Sequence, residues 1–301
     1  MGKIFSPGKL LLTSEYVVLD GALALAVPTK LGQEFFFEEV ADEKSIVVWE
    51  ALHQNQPWLK VVIDYQNWTI IETNNSQAGE FVVKVLRNVQ EHSLSKFKSN
   101  FTYHLKTNLQ FPSDFGWGSS STLMNNIAEW AQMDPFLLNE ISLGGSGYDI
   151  AVAKEKSAIL YQINGVDKIS QKVNYKPSFS DELLLVHLNK KQDSREGIKM
   201  YRSKKVSEDL IQEFSKITNK ILQFDNIEEF SSLMELHEKK LSNLLGIPTV
   251  KEKYFESMPV FVKSLGAWGG DFVLTRSFEG SEEWFLENNF KTVLKFNSVV
   301  G

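Results

Sequence analysis

The chain has 301 residues, of which 43% are hydrophobic and 23% charged, and its formal net charge is −6. This length suits two lobes or one large α/β unit, and the composition is that of a folded soluble protein. Cysteine is absent, which excludes disulfides, thiolate metal sites and cysteine nucleophiles.

Charge and hydropathy patterns exclude two further classes of partner. Lys and Arg are not concentrated on any face, so binding to nucleic acid has no electrostatic basis. No apolar run approaches the roughly 18 residues that a membrane helix needs. The N-terminus also lacks the plan of a signal peptide. We therefore expect no nucleic-acid partner, no membrane partner and a cytoplasmic location.

Apolar periodicity predicts strands and helices along the whole chain. The first half is predicted to contain, in order, strands over 3–13 and 22–38 with a turn at Asp20-Gly21, edge strands and loops over 44–72, a helix over 79–94, a strand over 101–105, a glycine- and serine-rich loop over 113–121, a helix over 120–132, and a short helix capped by Asp134 before Pro135.

The second half is predicted to contain strands over 158–163 and 183–188, helices over 207–223, 227–244 and 251–264, a glycine-rich turn over 266–270, a strand over 272–275, and a last helix and strand. Strands mixed with helices throughout indicate an α/β or α+β layered fold. The stretch around 165–180 has the least pattern, so we place the domain boundary there.

Two segments of the first half hold residues suited to phosphate chemistry. Residues 115–121, FGWGSSS, combine two glycines with three serines at a helix start, where unpaired N–H groups favour phosphate. They lack the Gly-Lys-Ser/Thr of a Walker loop and also suit a flexible loop with a serine N-cap. Residues 6–16, SPGKLLLTSEY, place Lys9 and Glu15 on one side of a strand, where a surface salt bridge is the simpler interpretation.

Two further glycine-rich segments precede an aspartate. Residues 144–153, GGSGYDIAVA, place Asp149 before a helix, where it could be an N-cap or a catalytic carboxylate. Residues 266–271, GAWGGD, could form a plain turn or a second loop packed against the phosphate-binding one.

Together and in this order, the four segments resemble the signature motifs of the GHMP kinases (galactokinase, homoserine kinase, mevalonate kinase, phosphomevalonate kinase). Residues 7–26 resemble the first motif, 116–121 the phosphate loop, and 266–271 the third motif. Residues 147–151, GYDIA, match the string that names one GHMP subgroup. The resemblance spans nearly the whole chain.

The resemblance implies an α/β (α+β) fold of two lobes. An ATP-binding lobe like ribosomal protein S5 domain 2 would occupy residues 1–170, and a ferredoxin-like lobe would occupy 171–301. The nucleotide would lie between them. A homodimer is an assembly common in this family, although nothing in the sequence marks an interface.

The resemblance also implies a mechanism with ATP and Mg²⁺ as cofactors. Asp149 would act as general base toward the acceptor hydroxyl, and Lys9 would stabilise charge on the attacking oxygen. The implied nucleotide-binding residues are Gly116, Trp117, Gly118, Ser119, Ser120 and Ser121. The implied metal ligands are Ser120 with Glu15 or Glu140. The implied substrate-binding residues are Tyr16, Ser146, Gly147, Gly266, Ala267 and Gly269.

The sequence departs from the family pattern at three positions. Ser14 stands where glycine is usual, and Trp117 and Trp268 bring bulky groups into glycine-rich motifs. A distorted or inactive site is therefore one alternative, and a non-catalytic ligand-binding protein of this fold is a separate one.

For a kinase, the GSGYD string is more similar to the mevalonate and phosphomevalonate branch than to galactokinases. Mevalonate is the first candidate acceptor, then phosphomevalonate, then a sugar or other alcohol. Lys190, Lys191, Arg195 and Lys199 could bind an acidic acceptor or form a solvated cluster.

Overall fold

The computed structural model describes residues 1–190 and 194–301. The chain divides into two compact units, each assembled from separate stretches. The first unit comprises Met1–Gly8, Leu31–Ser113 and Trp117–Lys156, and the second comprises Lys9–Lys30, Asp114–Gly116 and Ser157–Gly301. Strands β1 (Gly2–Leu11) and β2 (Ala24–Val40) each pass from one unit into the other. The domain boundary expected after residue 170 stays a prediction.

The first unit contains a mixed sheet, which has both antiparallel and parallel strand pairs, and four helices. Its strand order is β5-β4-β3-β6-β2, and β3 pairs parallel with β6. The additional elements are β3 (Ile46–His53), β4 (Gln56–Asp64), β5 (Thr69–Thr73), β6 (Thr102–Leu109), α1 (Ser76–His92), α2 (Ser119–Ala131), α3 (Pro135–Ser142) and α4 (Tyr148–Glu155). Alternate residues of β3, including Val47 and Trp49, are buried in a core shared with α1 and α2.

In the second unit, the start of β2 pairs with β7, which pairs with β8, and an antiparallel sheet has the order β10-β11-β9-β12. The strands are β7 (Ile159–Asn164), β8 (Asp167–Lys172), β9 (Leu183–His187), β10 (Val262–Ser264), β11 (Phe272–Arg276) and β12 (Val293–Lys295). The helices are α5 (Ser194–Arg202), α6 (Glu208–Gln223), α7 (Ile227–Leu245), α8 (Val250–Tyr254), α9 (Ser281–Glu287) and α10 (Phe296–Val299). Every residue of β9 is buried, as expected of an inner strand.

The structure confirms the mixed α/β class and most predicted elements, including the N-cap at Asp134, whose carboxylate accepts the N–H of Phe136. The helix predicted over 251–264 is wrong beyond Tyr254. Pro259 cannot continue a helix, and Val262–Ser264 after it form β10, which pairs with β11.

Four smaller differences concern short segments. The predicted turn at Asp20-Gly21 is a short 3₁₀ helix over Val17–Asp20, closed by Gly21 with φ of 94°. Strand β8 lies in the stretch without a clear pattern, and α5 lies in the predicted basic cluster. A short helix, α10, follows the last strand.

Across the described residues, no helix is both long and apolar enough to cross a membrane.

Candidate active site

In the first unit, the predicted phosphate loop leads directly into α2. The helix begins at Ser119 after Gly118, which has φ of 80°, a conformation that favours glycine. N–H groups in the first turn of a helix have no intrahelical acceptor and carry partial positive charge. Ser120 is exposed here, while Ser119 and Ser121 are half-buried. This end of α2 can therefore accept an anion such as phosphate.

A buried polar network holds α2 in place. Asn126 accepts a hydrogen bond from the Ser6 hydroxyl at 2.7 Å and donates to the carbonyl of Gln33 at 2.9 Å. Asn125 donates to the Ser6 hydroxyl at 2.9 Å and lies 3.3 Å from the carbonyl of Ala153. Both asparagines are buried. Since buried amides are costly to leave unsatisfied, the network orients α2 against β1, β2 and α4.

Asp149 lies inside the first turn of α4, because the N-cap is Gly147 with φ of 88°. The simple capping interpretation of Asp149 is therefore wrong. Its Oδ2 atom lies 3.5 Å from the hydroxyl of Ser121, in the first turn of α2. The structure thus brings a carboxylate to the N-terminal end of the candidate phosphate-binding helix.

Trp117 is the bulky residue of the phosphate loop, yet its side chain is only 2% exposed. Its ring packs against Phe111, with 5.5 Å between the ring centroids. The indole therefore belongs to the interior of the first unit and does not cover the exposed start of α2.

In the second unit, a small cleft contains Lys9 and the glycine at the start of the phosphate loop. The lining residues are Lys9, Leu10, Leu11, Phe115, Gly116, Leu265, Gly266, Asp271 and Phe272. Nζ of the buried Lys9 donates to the carbonyl of Gly116 at 3.1 Å. Lys9 is thus an internal cation, whereas a surface salt bridge was the simpler sequence-based interpretation. Asp271, to which sequence reasoning gave no role, is the acidic member of this lining.

Glu15, the other charged residue of the first motif, has a different environment. Its carboxylate is 1% exposed, and Oε1 accepts from Nζ of Lys263 at 2.5 Å. Oε2 lies 3.4 Å from Nε2 of His237. Burial raises the pKa of Glu15, although the charge of Lys263 opposes that rise. The carboxylate is already committed to Lys263, so we do not retain Glu15 as a metal ligand.

The neighbours of Glu15 complete a buried polar cluster. Nε2 of His237 accepts the backbone N–H of Ser14 at 2.7 Å, so that nitrogen carries no proton and the ring is neutral. Burial lowers the pKa of His237 well below its usual range. Glu238 accepts from the backbone and hydroxyl of Ser264 at 3.2 and 3.0 Å, and burial raises its pKa.

Tyr16 and Trp268 belong to the same interior. Tyr16 accepts the backbone N–H of Trp268 at 3.2 Å, and burial raises the pKa of its hydroxyl to about 12. The Trp268 indole donates to Glu238 at 3.0 Å and is 5% exposed. Both rings pack in one hydrophobic cluster with Tyr201 and Phe214. These contacts support the glycine-rich loop from within, and the substrate-binding role of Tyr16 stays a prediction.

The residues present fit Mg²⁺ as an ion carried with a nucleotide. Among the described residues, no group of three or more His, Asp or Glu side chains forms a ready metal cage. Mg²⁺ keeps several waters and often takes one or two protein oxygens together with substrate phosphates. Exposed Ser120 at the start of α2 meets that requirement, and Glu140 is exposed on α3.

The remaining substrate-binding candidates fall in two glycine-rich turns. Ser146 is half-buried and Gly147 caps α4 in the first unit. In the second unit, Gly266 and Gly269 have φ of 63° and 92°, and Ala267 is buried between them. Only Gly266 of these three lines the cleft with Lys9.

No protein-family model matches the sequence, and no curated protein matches it. Solved structures do match. Methanococcus jannaschii mevalonate kinase has a TM-score of 0.71 at 17% identity, covering 97% of this chain and 96% of that one. Streptococcus pneumoniae phosphomevalonate kinase, in complex with phosphomevalonate and AMPPNP, has a TM-score of 0.66 at 15% identity, covering 98% and 100%. Lactococcus lactis galactokinase, complexed with galactose, has a TM-score of 0.63 at 12% identity, covering 95% and 88%.

The chain has the GHMP kinase fold. The fold expected from the four motifs is thereby confirmed over nearly the whole chain. At these identities the likeness does not assign an activity, which has to be argued from the residues.

Proposed function

We propose that the protein is an ATP-dependent kinase that phosphorylates a hydroxyl or phosphate group of a small acidic metabolite. The observation that carries this proposal is the approach of Asp149 to Ser121, 3.5 Å apart in the first turns of α4 and α2. A carboxylate that can accept a proton thus lies beside a helix N-terminus that can bind phosphate.

Phosphoryl transfer depends mainly on positioning and on neutralising charge. The N-terminal turn of α2, with Ser119, Ser120 and Ser121, would hold the phosphates of ATP. Asp149 would accept the proton of the acceptor hydroxyl, and Lys9 would stabilise the negative charge that develops on its oxygen. Mg²⁺ bound with the nucleotide, with Ser120 as a protein ligand, would supply further charge neutralisation.

Mevalonate is the acceptor that we propose first, and phosphomevalonate is the second candidate. Mevalonate and phosphomevalonate kinases are among the proteins of similar fold, and so is a galactokinase. A carboxylate on the acceptor calls for cationic partners. Lys190 and Lys199 are exposed, whereas Lys191 and the side chain of Arg195 lie outside the described part of the chain.

The alternative of a non-catalytic protein depended on the two bulky residues of the glycine-rich motifs. Trp117 and Trp268 are both buried within their own units. The burial of both indoles supports a nucleotide-binding site and an active kinase.

The test is ADP release from Mg-ATP with mevalonate, 5-phosphomevalonate, galactose and homoserine, each offered separately. Turnover on one acceptor, lost in Asp149→Asn, would support the proposal and identify the substrate. Tight ATP binding without turnover on the panel would call for other alcohols. Failure to bind ATP at all would contradict the proposal.

A further inference from the structure

Within the second unit, a carboxylate lies directly against Gly116, the first residue of the candidate phosphate loop. A Cβ atom placed on Gly116 would lie 2.3 Å from Oδ2 and 2.6 Å from Cγ of Asp271. Non-bonded atoms do not approach so closely, so a side chain at residue 116 would require the Asp271 carboxylate to move. Gly116 also has φ of 68°. Glycine therefore suits both the backbone at residue 116 and the nearby carboxylate of Asp271.

The position of Asp271 is fixed by its own backbone. Its N–H donates to the carbonyl of Lys190 at 2.7 Å, and its carbonyl accepts the N–H of Leu188 at 2.8 Å. Asp271 has φ of 55°, a region that glycine occupies without strain and that other residues visit rarely. Two glycines with positive φ, Gly266 and Gly269, precede it in the same loop, and a further glycine at residue 271 would fit the backbone better. We therefore attribute a role to its carboxylate.

The surroundings strengthen the electrostatic effect of that carboxylate. Asp271 is 8% exposed and lines one cleft with Lys9. Nζ of Lys9 donates to the carbonyl of Gly116, so a cation and an anion flank the same residue of the loop. Leu10, Leu265 and Phe272 also line the cleft. Charges act on a bound ion more strongly in such a weakly polar environment than in water.

The negative charge of Asp271 opposes the attraction of Lys9 for a free nucleotide, which is itself anionic. A divalent cation on the phosphates offsets that unfavourable effect and is itself attracted to the carboxylate. We propose that Asp271 is a specificity-determining residue that makes the loop select metal-complexed over free nucleotide. This inference rests on the proposed function, namely that residues 116–121 bind nucleotide phosphates.

The test is calorimetric binding of ADP, once with excess Mg²⁺ and once with EDTA, to the full chain and to Asp271→Asn. Asparagine is similar in size and tolerates positive φ, so the change removes charge and little else. The matched control is Asp225→Asn, which removes the same charge where a carboxylate accepts the N–H of Ser178, outside the cleft lining. We expect the ratio of the Kd for free ADP to the Kd for Mg-ADP to fall about tenfold in Asp271→Asn only.

The Kd values for Mg-ADP and for free ADP should respond differently to the loss of the carboxylate. Mg-ADP should bind more weakly to Asp271→Asn, and free ADP should bind equally or more tightly. An unchanged ratio would overturn the role of Asp271 while leaving nucleotide binding intact. If neither form of ADP binds the unaltered protein, the proposed function fails, which is a separate result that no Asp271 variant can produce.

A second variant distinguishes the loss of the carboxylate from a loss of folding. Asp271→Gly removes the carboxylate and suits the observed φ. If Asp271→Asn loses thermal stability, the same ratio is measured with Asp271→Gly. A preserved preference for Mg-ADP in a folded Asp271→Gly would equally overturn the inference.

Discussion

The ammonium of Lys263 lies 2.5 Å from Oε1 of Glu15, and the two side chains are 0% and 1% exposed. Nζ of Lys263 also donates to the carbonyl of Ser264 at 2.8 Å. This ion pair joins β10 to the segment after β1, and Glu238 of α7 contacts Ser264 from the other side. The first motif and strand β10, which precedes the third motif, therefore share one buried charge cluster within the second unit.

Removing one partner of this pair should destabilise the protein strongly. We expect Lys263→Met to lower the free energy of unfolding by about 3–5 kcal/mol, because Glu15 is left buried without its cation. The double variant Glu15→Gln/Lys263→Met should recover much of that loss. Urea denaturation followed by circular dichroism measures both. Lys60→Met, which breaks the exposed pair with Glu72, is the control and should have a much smaller effect. A similar loss in both lysine variants would contradict this account.

Stability should fall as the pH drops below about 6.5, the ordinary pKa of histidine. The pKa of His237 is lowered in the folded chain, so below that pH the unfolded chain binds a proton that the folded chain does not. Linkage gives a slope of up to about 1.4 kcal/mol per pH unit from this one group. Glu15 and Glu238 have raised pKa values, so their contribution to stability has the opposite sense as the pH falls toward the ordinary glutamate pKa of about 4.3.

The measurement is denaturant unfolding at pH values from about 8 to about 5.5, a range that brackets the ordinary pKa of histidine. His237→Gln keeps an acceptor for the N–H of Ser14 and removes the titration. Its stability advantage over the unaltered protein should grow as the pH falls. Parallel pH profiles would show that His237 does not contribute.

Trp268 should support the fold without blocking a nucleotide. We expect Trp268→Phe to lower the free energy of unfolding by about 1–3 kcal/mol, because Glu238 loses the indole donor in a buried site. The Kd for Mg-ADP should not become smaller. Trp58→Phe, at a position that is 48% exposed, is the control for loss of an indole. Tighter nucleotide binding in Trp268→Phe would show that the indole occludes the site.

Asp149→Asn should reduce turnover by about 10²- to 10⁴-fold, the usual contribution of a general base. The KM for ATP and the thermal midpoint should change little, because Asp149 is not the cap of α4. Asp134→Asn is the matched control, since asparagine also caps helices and α3 should be retained. Full activity in Asp149→Asn would exclude its role as base.

Gly116→Ala should destabilise the chain through both positive φ and contact with Asp271. In an Asp271→Gly background the contact disappears and only the backbone strain of about 1 kcal/mol should remain. A thermal-unfolding comparison of the two single variants and the double variant measures the difference. Additive effects would mean that the two residues do not interact.

Local patterns in the sequence determined most elements and the order of the motifs. Helix α2 begins after Gly118, α3 is capped by Asp134, and β9 is a continuous apolar run, as periodicity and capping rules predicted. These features depend on residues within one turn or one strand of each other. The order of four glycine-rich segments was also sufficient to indicate the fold family.

The tertiary structure alone decided what surrounds each candidate residue. Glu15 and Lys263 are separated by 248 positions, and only folding makes one the partner of the other. Pairing with β11 turned the end of a predicted helix into β10. The directions of Trp117 and Trp268, and the approach of Asp271 to Gly116, likewise depend on packing between distant segments. Local periodicity carries no information about such contacts, because it does not specify which distant surface an element buries.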